Sequence, residues 1–343
     1  MKLSSIIQSD LPFVVYKKPY SSKLIVIQQD DTKLHTDNSL KQEGFYFVPF
    51  DFDLHPVVVF PAELSTESDY LIRNLELEEK SYSFNLMMNE SEQEIHQNKV
   101  VKAISLIQAK KIEKVIISRK IEVVTHNFEM YISVLKLMYQ RDESFVYLWH
   151  HPQIGTWMGV TPELLADYQE NTLKTVALAG TLSVQPDLPV NWQIKEINEQ
   201  KIVSDYIVSQ LQAFSDKMEV GKPKTVYQGS IAHIKNEIFA EISLKNITKA
   251  IKQLHPTPAV CGTPTKVAKK VIKNIEEYDR KYYTGFLGMK RSNKLYFYVN
   301  LRCMEIINKK IFLYVGGGIV IDSIPKKEWQ ETEFKSRILL DNI

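Results

Sequence analysis

Two periods of apolar residues alternate along this chain, and together they predict its elements. Ile95, Val100, Ile104 and Ile107 recur at close to helical spacing, which predicts an amphipathic helix over 92–111. The β-branched run KVIISRKIEVV (Lys114 to Val124) predicts a strand, and a second helix is expected from Phe128 to Tyr139 with Asn127 as N-cap. Strand-like runs follow at 144–151, 156–161, 164–169 and 173–180, with Glu170-Asn171 predicting a hairpin turn between the last two. A long helix is expected from Trp192 to Phe214, then a Gly/Pro/Lys break at 221–224 and a further helix-forming stretch ending near His255. The last third opens on the loop HPTPAVCGTP (255–264) and a helix from Thr265 to Tyr278. Two long strands, 295–307 and 310–321 joined at Asn308-Lys309, lead to a closing helix from Lys326 to Leu340. Residues 1–92 are irregular, with short strand-like runs at 23–28 and 57–60. Strands in series, rather than strict βαβ alternation, predict an α+β class with largely antiparallel sheets.

Composition narrows the function classes. With 343 residues and 44% hydrophobic content, the chain can bury a large core, and 1–343 reads as one catalytic domain. A net charge of +2 with dispersed lysines lacks the basic, aromatic-rich surface of a nucleic-acid binder. Asp10 and Pro12 interrupt any signal-like apolar region, and no apolar run is long enough to span a bilayer. Cys261 and Cys303 make neither a disulfide framework nor a zinc site, so a reducing cytoplasm is expected.

The candidate chemistry begins with four glutamates. Glu196 and Glu199, and then Glu328 and Glu331, are spaced i, i+3 on predicted helices. Each pair therefore shows its carboxylates on one face, about 60° apart. Taken alone, such a pair reads as a solvated helix face. Two pairs facing each other would need a shared cation, and hard oxygen ligands suit Mg²⁺.

The neighbouring motifs decide between these readings. KVIISR at Lys114, GVTPELL with Glu163, LAGT at 178–181, HPTPAVCGTP, YYTGFLG at 282–288, Leu301-Arg302, YVGGGIVIDS at 314–323 and EWQETEFK at 328–335 occur in that order. This set resembles the chorismate-utilising enzymes, which include isochorismate, salicylate, anthranilate and aminodeoxychorismate synthases. The resemblance covers roughly 95–340; residues 1–92 are a divergent part.

The resemblance implies two large, mostly antiparallel β-sheets packed as a sandwich with helices outside. It also implies that Glu199 and Glu331 ligate Mg²⁺ while Glu196 and Glu328 hold its waters. Arg302, which alone could be an edge-strand arginine in a surface ion pair, becomes the guanidinium for the enolpyruvyl carboxylate. Tyr283 is expected to add a phenol, and Gly316 and Gly317 close backbone approach. Ala179, Gly180, Thr181, His255 and Lys335 complete the substrate-binding set, Lys335 being equally an i, i+4 partner of Glu331.

Two positions speak to the nucleophile. Aminodeoxychorismate synthases carry a lysine where this chain has Ala179, and ammonia-using anthranilate synthases lack the lysine that stands here as Lys114. Water is therefore the expected nucleophile, with Lys114 as general base and Glu163 as general acid. Isochorismate synthase is the leading reading, for menaquinone or siderophore biosynthesis. Salicylate synthase and a non-catalytic chorismate-binding protein are the alternatives. No amidotransferase partner is expected, and the chain should be a monomer or weak dimer. One departure is Gln200, where a histidine often follows the metal-binding glutamate.

Overall fold

The computed structural model describes residues 3–75, 90–124, 128–183, 190–228, 231–307 and 310–341. Its strands form two nine-stranded sheets. The first runs Gly262–Thr263, Lys114–Val124, Lys310–Ile319, Cys303–Ile307, Gly155–Thr161, Phe145–His151, Phe13–Lys17, Lys23–Gln29, Ser65–Leu71. The second runs Met218–Val220, Ile231–Glu241, Thr172–Ser183, Leu164–Gln169, Lys294–Val299, Phe286–Arg291, Gly44–Val48, Val58–Pro61, with Lys224–Gln228 also on Ile231–Glu241. Neighbours pair antiparallel throughout, and the fold is α+β as expected.

An aromatic layer glues the sheets. Phe47 of the second sheet stacks on Trp149 of the first with ring centroids 4.4 Å apart, and Tyr16 meets Phe45 at 5.2 Å. Both tryptophans of this layer, Trp149 and Trp157, are fully buried, and side chains of this size dominate a core's stabilisation. The helices cover the outer faces. Met130–Gln140 and the end of Pro325–Leu340 pack on the first sheet, Ile194–Leu211 and Leu244–Leu254 on the second. Glu90–Gln108 and Thr265–Glu276 flank the strand Lys114–Val124.

Most predicted elements stand where periodicity put them. Glu170 and Asn171 both have positive φ, 52° and 61°, the paired left-handed geometry that a tight hairpin needs. The two cysteines are buried and free. No helix among the described residues is long and apolar enough to cross a membrane.

Three expectations need correction. The stretch from 224 to 255 is not one helix: it holds strands Lys224–Gln228 and Ile231–Glu241 before a helix starts at Leu244. Its lysines and glutamates suggested helix, yet alternate residues Ile234, Asn236, Ile238 and Ala240 are buried, a period of two. The run 295–307 is not one strand: it leaves the second sheet after Val299 and enters the first at Cys303. The glycines 316–318 lie mid-strand, within the strand expected over 310–321, opposite Ser118, Ile117 and Ile116. The helix at 130 has Glu129 as its N-cap. Asn127 and the 308–309 junction lie outside the described residues.

Candidate active site

Two short crossovers between the sheets build the heart of the site. The chain passes from the first sheet to the second at Pro162-Glu163, and back at Asn300–Arg302. These links run side by side: Val299 N donates to Glu163 O at 2.9 Å and Val160 N to Arg302 O at 3.1 Å. Arg302 takes φ +44°, a left-handed conformation unfavourable for a side chain of its size. Buried Asn300 holds the turn. Its Oδ1 accepts from Tyr147 Oη at 2.6 Å, and its Nδ2 donates to Tyr282 O at 2.9 Å. Asn300 carries no charge or motif weight, and the sequence reading passed over it.

Glu163 and Arg302 both line a cleft of about 90 Å³. Burial pushes the Glu163 carboxyl up to about 8, against the opposing pull of Lys114, Arg302 and Lys335. It is therefore protonated at neutral pH, as a proton donor must be. Burial lowers Arg302 only to about 10, so its guanidinium stays charged.

His233 was missed because its segment was read as helix; the strand's alternating burial was the available signal. Its Nδ1 lies 3.2 Å from Gly180 O, and its Nε2 is 3.1 Å from an Arg302 guanidinium nitrogen. Burial, then Arg302 and Lys335, hold His233 well below its usual range, so the ring is neutral. A neutral ring donating from Nδ1 presents Nε2 as an acceptor and aims the guanidinium. Gly180, at φ +72°, makes the bulge that brings its carbonyl to His233.

The glutamate pairs come from two helices, Ile194–Leu211 and Pro325–Leu340, and each glutamate meets its surroundings differently. Lys114 Nζ is 2.8 Å from Glu199 Oε1, Lys195 Nζ 2.9 Å from Glu328 Oε1, and Lys335 Nζ 2.6 Å from Glu331 Oε1. Burial raises Glu199, but the charge and hydrogen bond of Lys114, then Lys195 and Lys335, hold it below the usual carboxylate range. Burial and the charge of Glu331 push Glu328 up to about 7.

The central glycines explain how carboxylates come this close to a strand. A Cβ at Gly318 would overlap Glu199 Oε1, and one at Gly317 would stand 3.3 Å from Glu328 Oε2 and 3.4 Å from Glu331 Oε1. Gly316 O is taken by Lys335 Nζ at 3.0 Å, while Gly316 itself lies tight against Ser118.

Of the expected substrate-binding residues, Ala179, Gly180, Thr181, Tyr283, Gly316, Gly317 and Lys335 line the cleft. Glu199 and Glu331 do as well. Tyr283 is stacked on Tyr314, with ring centroids 5.3 Å apart. Lys114 is fully buried behind Glu199 and Gly318 rather than on the cleft wall. Glu196 and Glu328 line a neighbouring cavity instead. His255 departs from expectation: it lies outside the lining, 3.2 Å from Pro49 O, with its ring against Phe52 and Phe286. Its flanking prolines made it look like part of the loop wall, but its imidazole is core. Gln200 turns from the carboxylates and hydrogen-bonds Asn236.

Do these residues fit a hard cation? Glu196 Oε2 and Glu328 Oε2 are buried without an aligned donor, on residues 6% and 1% exposed. Among the described residues, no three His, Cys, Asp or Glu side chains form a ready-made cage. Mg²⁺ needs none, because it keeps several waters and takes one or two carboxylates. The donor set fits.

Residues 61–343 match the family described as chorismate binding enzyme. The chain belongs to that family. It is similar to the isochorismate synthase DhbC of Bacillus subtilis (strain 168), 28% identical over 85% of this chain and 78% of that protein. It is 33% identical to the isochorismate synthase MenF of Haemophilus influenzae over 59% of this chain, which is about half, 49%, of that relative. Among solved structures, MenF from Escherichia coli superposes with a TM-score of 0.78 at 20% identity, covering 99% of this chain and 91% of that one. Anthranilate synthase component I from Streptococcus pneumoniae TIGR4 does so at 0.71 and 16%, covering 96% and 90%. Those likenesses establish that this chorismate binding enzyme shares their fold.

Proposed function

We propose that this enzyme is an isochorismate synthase, an isomerase that adds water at C2 of chorismate and expels the C4 hydroxyl. The observation that carries the reading is Glu163, a buried carboxyl whose pKa of about 8 keeps its proton available for a leaving group. Arg302, aimed by His233, would hold one substrate carboxylate with its planar pair of donors. Glu199 and Glu331 would hold Mg²⁺, with Glu196 and Glu328 on its waters. When bound, the ion would supply a positive centre for the ring carboxylate.

Lys114 Nζ lies 2.8 Å from Glu199 Oε1 in a fully buried setting. As general base it would accept a proton from the attacking water. The new C2–O bond forms, the ring double bonds shift, and the C4–O bond breaks as Glu163 protonates the departing hydroxyl. One water enters and one leaves, so substrate and product are isomers. Ala179 puts no amine beside the ring, which disfavours the covalent route. Water as nucleophile makes an amidotransferase partner unnecessary.

The test is a product assay on purified protein with chorismate and Mg²⁺, with and without ammonium, resolved by chromatography. Isochorismate formed independently of ammonium supports the proposal. Salicylate with equimolar pyruvate would reassign the chain to salicylate synthesis, an ammonium-dependent product would overturn Lys114 as base, and no conversion would favour a binding protein.

A further inference from the structure

The carboxylates divide two cavities of different electrical character. On one side lies the cleft with Glu163 and Arg302. On the other lies a larger cavity of about 300 Å³, against about 90 Å³ for the cleft. The two share Thr181 and Glu331. Glu199 faces only the cleft, and Glu196 and Glu328 only the larger cavity.

Charge separates them further. The larger cavity is lined by Glu196, Asp322, Glu328 and Glu331 against Lys195 and Lys327. Even leaving out Glu328, three carboxylates face two ammoniums, so the cavity is net negative. In the cleft, Glu199 and Glu331 are balanced by Arg302 and Lys335, while Glu163 carries a proton. A cation is drawn to the first and an organic anion is not repelled from the second. The larger cavity also presents a buried carboxylate oxygen that no protein donor reaches. Glu196, only 6% exposed, lines it and has its Oε2 without an aligned donor, and Glu328 Oε2 lies in the dividing wall.

We propose that this larger cavity is the entrance for the divalent cation, so that metal and substrate reach the glutamates from opposite sides. The inference rests on the proposed metal site. A hydrated ion enters past Ile324 and Phe334, both about half exposed at the cavity. It sheds waters against Glu196 and Glu328, then passes to Glu199 and Glu331. Such an arrangement lets metal exchange without the substrate leaving.

Mn²⁺ is the probe, with bound ion read by electron paramagnetic resonance and exchange by rapid mixing with a chelating indicator. No binding to the unaltered protein would sink the metal site itself and this entrance with it. Given binding, Ile324→Trp should slow association and release severalfold together, leaving Kd nearly unchanged. Asp322→Lys, which removes the cavity's formal negative charge, should slow association about tenfold at low salt, an effect fading as salt rises. Ala179→Phe, which narrows the cleft, should weaken chorismate binding without altering Mn²⁺ rates. Unchanged rates in Ile324→Trp, or slowed rates in Ala179→Phe alone, would overturn the proposal.

Discussion

Glu163 shows what one buried carboxyl can do to both activity and stability. Its folded-state pKa is raised to about 8, so the acid form that the proposed mechanism requires predominates at pH 7 and is lost as pH rises through about 8. kcat/KM should therefore fall on the alkaline side with a limb near that value. The same shift weakens folding, because above the ordinary carboxyl range the folded state must hold a proton the unfolded chain releases. That penalty grows with pH between the ordinary value, near 4.5, and about 8, by at most about 1.4 kcal/mol per unit. Glu163→Gln should abolish turnover yet melt higher than the parent at pH 8, with the gain vanishing at pH 4.5. Equal melting shifts at both pH values would remove the buried-acid account. Gly318 makes the complementary case. A methyl there would push Glu199 aside, and Gly318→Ala should weaken Mg²⁺ binding about 10–100-fold by calorimetry. Helical spacing put each glutamate pair on one face of its helix, but only the ordered motifs around the pairs set them apart from a solvated face. His233 and Asn300 were not, because their work depends on partners 53 and 153 residues away.

At the scale of elements, the crossovers matter more than the strands they join. Sequence periodicity found the strands on either side but read 295–307 as continuous, since changing sheets leaves the alternation of apolar residues nearly intact. What turns the chain is Asn300, with its side chain bonded to Tyr147 and Tyr282. Asn300→Ala would leave the buried Tyr147 phenol unsatisfied and remove one of the two donors to Tyr282 O, the other being Gly285 N, costing about 1–3 kcal/mol by denaturant unfolding. Arg302 would lose its register, so KM for chorismate should rise before the fold fails; a stability loss with unchanged KM would disconnect Asn300 from the site. The helices that carry the glutamates were read nearly to their ends. The segment 224–255 failed because charged residues on the exposed side of a strand mimic the polar face of a helix.

The whole molecule places its chemistry where two sheets exchange chain, and residues 13–71 contribute strands to both of them. Those early strands have irregular sequence because their neighbours are distant: Phe13–Lys17 pairs with Phe145–His151, and Gly44–Val48 with Phe286–Arg291. No local pattern announces such pairings. The twin crossovers carry a further meaning for how the enzyme comes into being. Glu163 and Arg302 gain their relative positions only when both sheets have formed and met, so no folding intermediate with one sheet complete can turn over substrate. Refolding followed in parallel by far-ultraviolet circular dichroism and by product formation should show activity lagging the strand signal and returning with the final phase. In a cell, such a chain would emerge from the ribosome inert until its last third had been made, its catalytic birth timed by the closure of the sandwich.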